Sequence, residues 1–316
     1  MAAGTSGDVP RPGSPASYLT YPMPSNIYGQ IKTAFKHLNA QEVRDMADRP
    51  LSVGVIAPSQ EGYAAIEEVL APASFSHARR FETGQVLRRI TGHAPEHEFD
   101  LVLCESDLLC PPGAFLFDPF QPERAIRRII ERREDLSLAL ARNFLPFRKP
   151  VIDRMIRAVA KENAMFSVVT ALPDVIPSVI ELPWAVGEFA SDTAFITKNQ
   201  VRLAFLIAGA SDHAVGYREQ AAQIAGLVAS AFGWRALARE LVGKIPFGAG
   251  LIPKAAIAYA GTFTVGAGME RFFRIGYGLS REERRELYGQ ALERGRSIVA
   301  QIVDSARPHR RAVAEK

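Results

Sequence analysis

The seven residues Leu51-Ser-Val-Gly-Val-Ile-Ala57 decide how the first third of the chain folds. A short run rich in β-branched side chains predicts a buried strand. A turn-forming stretch follows at 58–62, and residues 63–70 have the pattern of a helix. Two more apolar runs, at 99–104 and 114–117, predict further strands. This alternation is typical of a small parallel α/β unit.

The segments around these strands complete the unit. Residues 1–26 contain five prolines and few charges, so we expect a disordered tail. Residues 27–48 have the apolar spacing of a short amphipathic helix. Between the first two apolar runs, we expect a strand over 74–81 and a helix over 84–91.

The turn after the first strand occupies the place of a phosphate-binding loop, whose pattern is G-x-x-x-x-G-K-[ST]. Ala57 replaces the first glycine of this pattern, and Gly62 retains the second. Tyr63 replaces the lysine that pairs with phosphate, and Ala64 replaces the hydroxyl residue that holds magnesium. The segment is therefore either a degenerate nucleotide-binding fold or an ordinary strand–turn–helix. We expect no cofactor and neither GTPase nor ATPase activity.

Helical patterns dominate from residue 121 onward. The predicted fold class is α+β, mostly α, with a small P-loop- or Rossmann-like α/β unit followed by a larger all-α helical domain. We divide the chain into a disordered tail (1–26), a small degenerate α/β domain with an N-terminal helix (27–120), a helical domain (121–304) and a basic tail (305–316). The helices expected after the first one of the helical domain are 135–145, 149–172, 175–189, 190–211, 215–242, 253–274 and 280–304.

Arginine is concentrated in two segments that flank a block of low charge. Residues 122–162 carry a net charge of +5 and residues 271–315 a net charge of +4, whereas residues 163–270 contain only 15 charged side chains. Two interpretations are open: solvated helices around a buried core, or a protein that binds an anionic membrane surface. The basic segments lack the interleaved aromatic residues of RNA-binding modules, so we expect no nucleic-acid partner.

Acidic residues of the low-charge block are the candidate ligand site. Asp174, Glu181 and Glu188 fall seven residues apart, and Asp192 follows four residues later. Helical spacing would place them along one stripe, and buried carboxylates need cationic partners. The alternative is a solvated polar face with structural ion pairs. The candidate partners in either case are Arg235, Arg239, Lys244 and Lys254.

The remaining polar motifs predict neither a metal site nor a nucleophile. His93-Ala-Pro-Glu-His97 matches the H-x-x-E-H pattern of some zinc peptidases, but Pro95 opposes the helix that this pattern requires. Cys104 and Cys110 lack the usual spacing of a metal pair. We expect two core or incidental thiols in a reducing cytoplasm, with no disulfide framework.

A segment rich in glycine and alanine, 220–269, allows a second interpretation of the helical domain. Its two apolar runs, 220–234 and 245–269, are joined by a charged stretch, and the second run contains Lys254. Neither reaches the roughly 18 uncharged residues of a simple membrane span. We interpret the segment as a tightly packed soluble hairpin, and the alternative is an integral membrane protein that inserts it.

Four segments between about 147 and 273 carry a family resemblance. They are Asn163-Ala164, the run Ala171-Leu-Pro-Asp-Val-Ile-Pro177, Thr197-Lys-Asn-Gln200 and the Gly/Ala-rich run 243–262. These segments resemble the YcjF-type helical domains, a bacterial family of unknown function that commonly follows Era-like GTPase domains. The resemblance implies a helical, membrane-leaning accessory domain and no known reaction, so it supplies no catalytic residue.

The sequence therefore leads us to expect a non-enzymatic bacterial scaffold or regulatory protein. It would be cytoplasmic and peripheral to the inner membrane, with an anionic membrane surface or a protein as its partner. Two alternatives stay open. One is the integral protein with the inserted hairpin, and the other is an enzyme or small-ligand binder that uses the acidic and basic cluster.

Overall fold

The computed structural model describes residues 38–91, 98–106, 108–171, 192–226 and 251–306. The described chain is mostly helical and contains one small parallel sheet. The predicted α+β class with a dominant helical part is confirmed at this level.

Four short strands form the sheet. They are β1 (Val53–Ile56), β2 (Leu87–Ile90), β3 (Leu101–Glu105) and β4 (Phe115–Phe117), in the order β2-β1-β3-β4 with all neighbours parallel. The chain leaves β1 toward β2 on one side and then crosses to β3 on the other side. The topological switch point, where ligands bind in doubly wound sheets, therefore lies between β1 and β3.

The segment between β1 and β2 differs from the expectation. A helix, α3 (His77–Val86), stands where a strand was predicted, and β2 stands where a helix was predicted. The Ser76 side chain accepts a hydrogen bond from the Arg79 N–H and so caps the start of α3. Residues 87–90 become a strand because they pair with β1 and bury both of their apolar ends. The local sequence pattern of residues 87–90 does not indicate this long-range pairing.

The helices agree better with the sequence. Three predicted segments, 190–211, 253–274 and 280–304, match observed helices to within two residues at each end. The predicted helix 175–189 lies outside the described residues. The described helices besides α3 are α1 (Ala40–Ala47), α2 (Gln60–Leu70), α4 (Pro122–Arg132), α5 (Ser137–Asn143), α6 (Leu145–Ala171), α7 (Asp192–Ala210), α8 (Leu251–Ile275) and α9 (Arg281–Ala306), with a further helical stretch at 221–226.

Two helix predictions need correction. The chain was expected to break before residue 149, but α6 runs through Pro150. Pro150 lies in the second turn, so its missing N–H removes only one intrahelical bond. The helix expected from 215 begins later, because residues 211–220 form turns around Asp212, whose φ is +64°. The part of that prediction beyond residue 226 lies outside the described residues.

One apolar core joins the sheet to the helices. Val55 of β1 and Leu103 of β3 belong to the same buried cluster as Ile129, Phe147 and Phe205 of the helical part. Helix α6 lies at its centre and contacts α4, α5, α7, α8 and α9. Helix α1 precedes the sheet in sequence but packs on α5 and α7. The division of the chain near residue 120 stays a prediction.

Candidate functional site

Helix α4 has one face in the core and an arginine face in solvent. Pro122 occupies its first turn, where a missing N–H costs no helical bond. Apolar residues recur at the helical period, so one stripe of the helix is buried. The buried residues are Ala125, Ile126, Ile129 and Ile130, and the exposed arginines are Arg124, Arg127, Arg128 and Arg132.

These four arginines make no ion pair within 4 Å with any residue that the structure describes. Glu123 and Glu131 are the acidic residues of the helix, so α4 keeps a net charge of +2. A guanidinium that has no internal carboxylate can bind an external anion without losing a partner. The arginine face of α4 is therefore available for an acidic surface.

Exposed apolar side chains occur on the segments that adjoin α4. Phe120, two residues before α4, is 92% exposed, and Leu116 of the edge strand β4 is 50% exposed. Strand β4 packs against α4, so these side chains and the arginines lie on neighbouring elements. Basic residues beside exposed aromatic and aliphatic groups are typical of proteins that lie on a membrane surface.

The second arginine-rich segment is organised differently. Arg271 pairs with Glu283 at 2.5 Å, Arg274 pairs with Glu270 at 2.7 Å, and Arg296 of α9 pairs with Glu293 at 2.8 Å. Helix α9 carries five arginines and five acidic residues, so it has no net charge. Four other arginines of α9, Arg281, Arg284, Arg285 and Arg294, also make no ion pair with a described residue, but acidic residues of the same helix balance their charge. Compared with α9, the net charge of +2 therefore favours α4 as the anion-binding face.

The turn that was compared with a phosphate-binding loop lies where the sequence places it, between β1 and α2. Ala57 is buried, while Gly62, Tyr63 and Ala64 fall in the first turns of α2. The Ser59 hydroxyl accepts a hydrogen bond from the Gly62 N–H at 2.9 Å, which caps the helix. Burial, together with the nearby charge of Glu67, raises the pKa of the Tyr63 hydroxyl above its ordinary value.

Two charged side chains hold this loop in place. The Arg89 guanidinium on β2 donates hydrogen bonds to the carbonyl oxygens of Ala57 and Pro58, at 3.2 and 2.6 Å. The Glu105 carboxylate lies against Gly62 so closely that an added Cβ would stand 2.6 Å from one of its oxygens. A helix N-terminus attracts anions, and here a carboxylate of the protein itself lies against the first turn of the helix. Its charge opposes a phosphate.

The two cysteines form a disulfide, and the expectation of separate thiols was wrong. Cys104 ends the buried part of β3, and Cys110 lies in the connection to β4 with its Cα 6.0 Å from that of Cys104. This separation is within the range that a disulfide spans. The sequence spacing of six residues did not reveal it, because the connection turns back toward the end of β3.

A cluster of arginines at the junction of the sheet and the helices was not predicted. Arg79 of α3 and Arg142 of α5 lie 3.2 and 3.7 Å from the carboxylate of Asp212. Arg142 also pairs with Asp48 at 3.1 Å. Burial lowers the pKa of the nearby Arg148 guanidinium, and the charge of Asp212 opposes that effect. These residues lie far apart in the sequence, so no local motif marks them.

A polar cavity of about 340 Å³ adjoins the cluster. The Arg44 guanidinium at its wall donates to the carbonyl oxygen of Val215 at 2.6 Å. Two cationic and two anionic side chains face the space, so their formal charges balance. The charged and imidazole side chains that line it are Arg44, Asp48, Arg142, His213 and Glu219.

Polar side chains from three of the resembling segments meet inside the helical part. Asn163 of α6 donates to the Thr262 hydroxyl of α8 at 2.8 Å and accepts from the Asn199 amide of α7, also at 2.8 Å. Gln200 lies 3.5 Å from the same hydroxyl. All four residues are buried. Such a network satisfies the amides only when the three helices keep one register.

The predicted acidic and basic cluster lies mostly outside the described residues. Asp192 is the first residue of α7, and Lys254 is an exposed residue of the first turn of α8. The ligand-site hypothesis for this cluster stays a prediction. The members outside the described ranges are Asp174, Glu181, Glu188, Arg235, Arg239 and Lys244.

The described ranges contain no group of three or more His, Cys, Asp or Glu side chains suited to a metal ion. Within them, no helix combines the length and the apolar character needed to cross a bilayer. Residues 227–250 of the predicted hairpin lie outside these ranges.

Comparisons of the chain with protein-family models, curated proteins and solved structures gave no match.

Proposed function

We propose that this protein is a non-enzymatic scaffold or regulator that binds peripherally to an anionic membrane surface through the arginine face of α4. The observation that carries the proposal is the set of four exposed arginines that make no ion pair with a described residue, together with the exposed side chain of Phe120 two residues before the helix. On this proposal the membrane is the cytoplasmic face of the inner membrane, and the helical part supports the binding surface.

The magnitude of the charge effect is sufficient for reversible binding. Each basic residue close to an anionic bilayer contributes about 1 kcal/mol, and the attraction decays within roughly 10 Å at moderate salt. Arg124, Arg127 and Arg128 fall on successive turns of one short helix. Together they would contribute about 3 kcal/mol, or roughly two orders of magnitude in affinity.

Vesicle binding tests the proposal. The full chain should bind phosphatidylcholine vesicles that contain phosphatidylglycerol and should bind pure phosphatidylcholine vesicles weakly. The variant Arg124→Gln/Arg127→Gln/Arg128→Gln removes three charges from the exposed face and should lose about 100-fold in affinity. Co-sedimentation at low and high salt measures both effects, since salt screens the attraction.

A matched control removes three arginines from another exposed helix. Arg281, Arg284 and Arg285 lie in the first turns of α9, whose charges balance, and their replacement by Gln should change vesicle affinity by less than threefold. Equal losses in both variants would contradict a site on α4. Equal affinity of the unaltered chain for vesicles with and without phosphatidylglycerol would contradict binding to an anionic membrane. An acidic protein surface would then be the partner to seek.

The α/β unit, on the same proposal, is a P-loop- or Rossmann-like unit that has no nucleotide chemistry. The position of Glu105 against Gly62 supports this, as does the absence of a lysine at Tyr63. The buried contacts of Asn163, Asn199 and Thr262 are in keeping with a YcjF-type helical part. Titration with a fluorescent GTP analogue tests the first point, and saturable binding would contradict it.

A further inference from the structure

The Cys104–Cys110 disulfide lies beside the exposed apolar side chains of the sheet edge. Cys104 is the register partner of Leu116, the exposed residue of β4. The residue before Cys110 is Leu109, whose side chain is fully exposed at 105% of its reference area. The disulfide therefore ties the connection that carries the exposed Leu109 to β3, the strand that pairs with the edge strand β4.

The disulfide is a covalent restraint on the short connection between β3 and β4. Nine residues, 106–114, link β3 to β4, and those that the structure describes contain neither helix nor strand. Parallel neighbours are usually joined by a dozen or more residues, often including a helix that packs on the sheet. Without a packed helix, the position of Leu109 depends strongly on the disulfide. A ring closed by so few residues leaves the leucine little freedom.

We propose that the disulfide presents Leu109 for insertion into the anionic bilayer, so that membrane affinity depends on the redox state of the pair. This inference rests on the proposed function, because the arginine face of α4 first brings the sheet edge to the surface. The apolar side chains of Leu109, Leu116 and Phe120 would then enter the headgroup boundary, where burial of apolar area adds to the attraction between charges.

The chemistry of the switch is thiol–disulfide exchange with a dithiol. Cys104 is fully buried and Cys110 is partly exposed, so a thiolate of the reductant would attack the Cys110 sulfur. The Cys104 sulfur leaves as a thiolate and takes up a proton. The second thiol of the reductant then displaces Cys110, which is protonated in turn. Two electrons and two protons pass to the protein, and the reductant becomes a cyclic disulfide.

Disulfides that occur in a reducing cytoplasm are usually catalytic or redox-sensing. The expected location of this protein would therefore make the pair a sensor. Reduction would release the connection, Leu109 would no longer be held at the sheet edge, and the apolar contribution to binding would fall.

The experiment compares the vesicle affinity of the oxidised chain with that of the chain reduced by dithiothreitol, using vesicles that contain phosphatidylglycerol. We expect reduction to weaken binding at least threefold. The double variant Cys104→Ser/Cys110→Ser should bind as the reduced chain does, with or without the reductant. Circular dichroism of each form verifies that the fold is retained.

Two variants make the result specific. Leu109→Ser should weaken binding of the oxidised chain by the same factor and should abolish the effect of reduction. Phe120→Ser lies outside the disulfide ring, so it should weaken binding while leaving the effect of reduction intact. Equal affinity of the oxidised and reduced chains would overturn the inference. If the α4 arginine variant still loses binding in that case, the proposed function survives and only the redox control fails.

Discussion

Asp212 shows how a single residue holds together groups that are distant in the chain. Its φ of +64° is in the left-handed region, which Asp tolerates better than most residues. Its carboxylate faces Arg79 and Arg142, and its side chain is 30% exposed. Removing the carboxylate would leave these guanidinium groups without a shared counter-charge near the half-buried Arg148.

Substitutions at Asp212 separate charge from backbone conformation. We expect Asp212→Asn, which keeps tolerance of positive φ, to lower the free energy of unfolding by about 1–3 kcal/mol because Arg79 and Arg142 lose the anion that they share. Asp212→Gly should be less destabilising than Asp212→Ala, because glycine relieves the cost of the left-handed backbone. Urea unfolding of the three variants measures these differences. An asparagine variant as stable as the unaltered protein would show that the charge contributes nothing.

At the scale of elements, close helix packing distinguishes two glycines of α9. A Cβ at Gly295 would lie 3.0 Å from the carbonyl oxygen of Ala256 in α8, whereas a Cβ at Gly289 would meet nothing within 4 Å. The first position therefore sets the distance between α8 and α9. The second is an exposed helical glycine with no packing role.

Alanine at each glycine tests this distinction. Gly289→Ala should raise the free energy of unfolding by about 0.5–1 kcal/mol, because alanine is the better helix former. Gly295→Ala gains the same propensity but must push two helices apart, so we expect it to be less stable than Gly289→Ala by about 1–3 kcal/mol. Thermal unfolding of both variants ranks them. Equal stability would mean that the helices move apart at no cost.

At the scale of the whole molecule, the sheet and the helices share one apolar core. The buried cluster runs from Val53 and Leu103 through Phe147 to Met269, and the Asp212 cluster adds ion pairs across the same junction. Two parts that bury surface against each other lose stability together when either one unfolds.

We therefore expect the sheet and the helical part to unfold in a single transition. Hydrogen exchange under increasing denaturant, with the disulfide kept oxidised, should give similar free energies of opening for the core amides of β1 and β3 and for those of α6 and α8. Earlier opening of the strands would contradict this expectation. It would instead support the predicted boundary near residue 120 as a true domain boundary.

Local sequence patterns predicted part of the fold correctly, and they failed where the structure depends on pairing between strands. The positions of α7, α8 and α9 were predicted because a helix is stabilised by contacts within a few residues and because turn-forming residues mark its ends. Strand β2 has only four residues, two of them arginines, and its structure depends on pairing with β1. The neighbouring helix α3 was also missed, because its short polar sequence matches neither the helix nor the strand pattern strongly.

The arginine face of α4 could also be predicted only in part from the sequence. The sequence shows the net charge of +5 over 122–162, which marks this segment as one of two basic segments. It could not show that the α4 arginines make no ion pair with a described residue while Arg271, Arg274 and Arg296 do. Pairing depends on the distance between side chains on different turns and elements, which composition does not contain.

By itself, the sequence determined the helical character of most of the described chain, the strand–turn–helix over 53–70 and the lack of a phosphate-pairing lysine at Tyr63. Each of these depends on residue types at short spacing, which the chain carries wherever it folds. The tertiary structure decided the rest: the Cys104–Cys110 disulfide, the arginines around Asp212 and the carboxylate of Glu105 against Gly62. These depend on distances through space, which exist only once sheet and helices have packed around their common core.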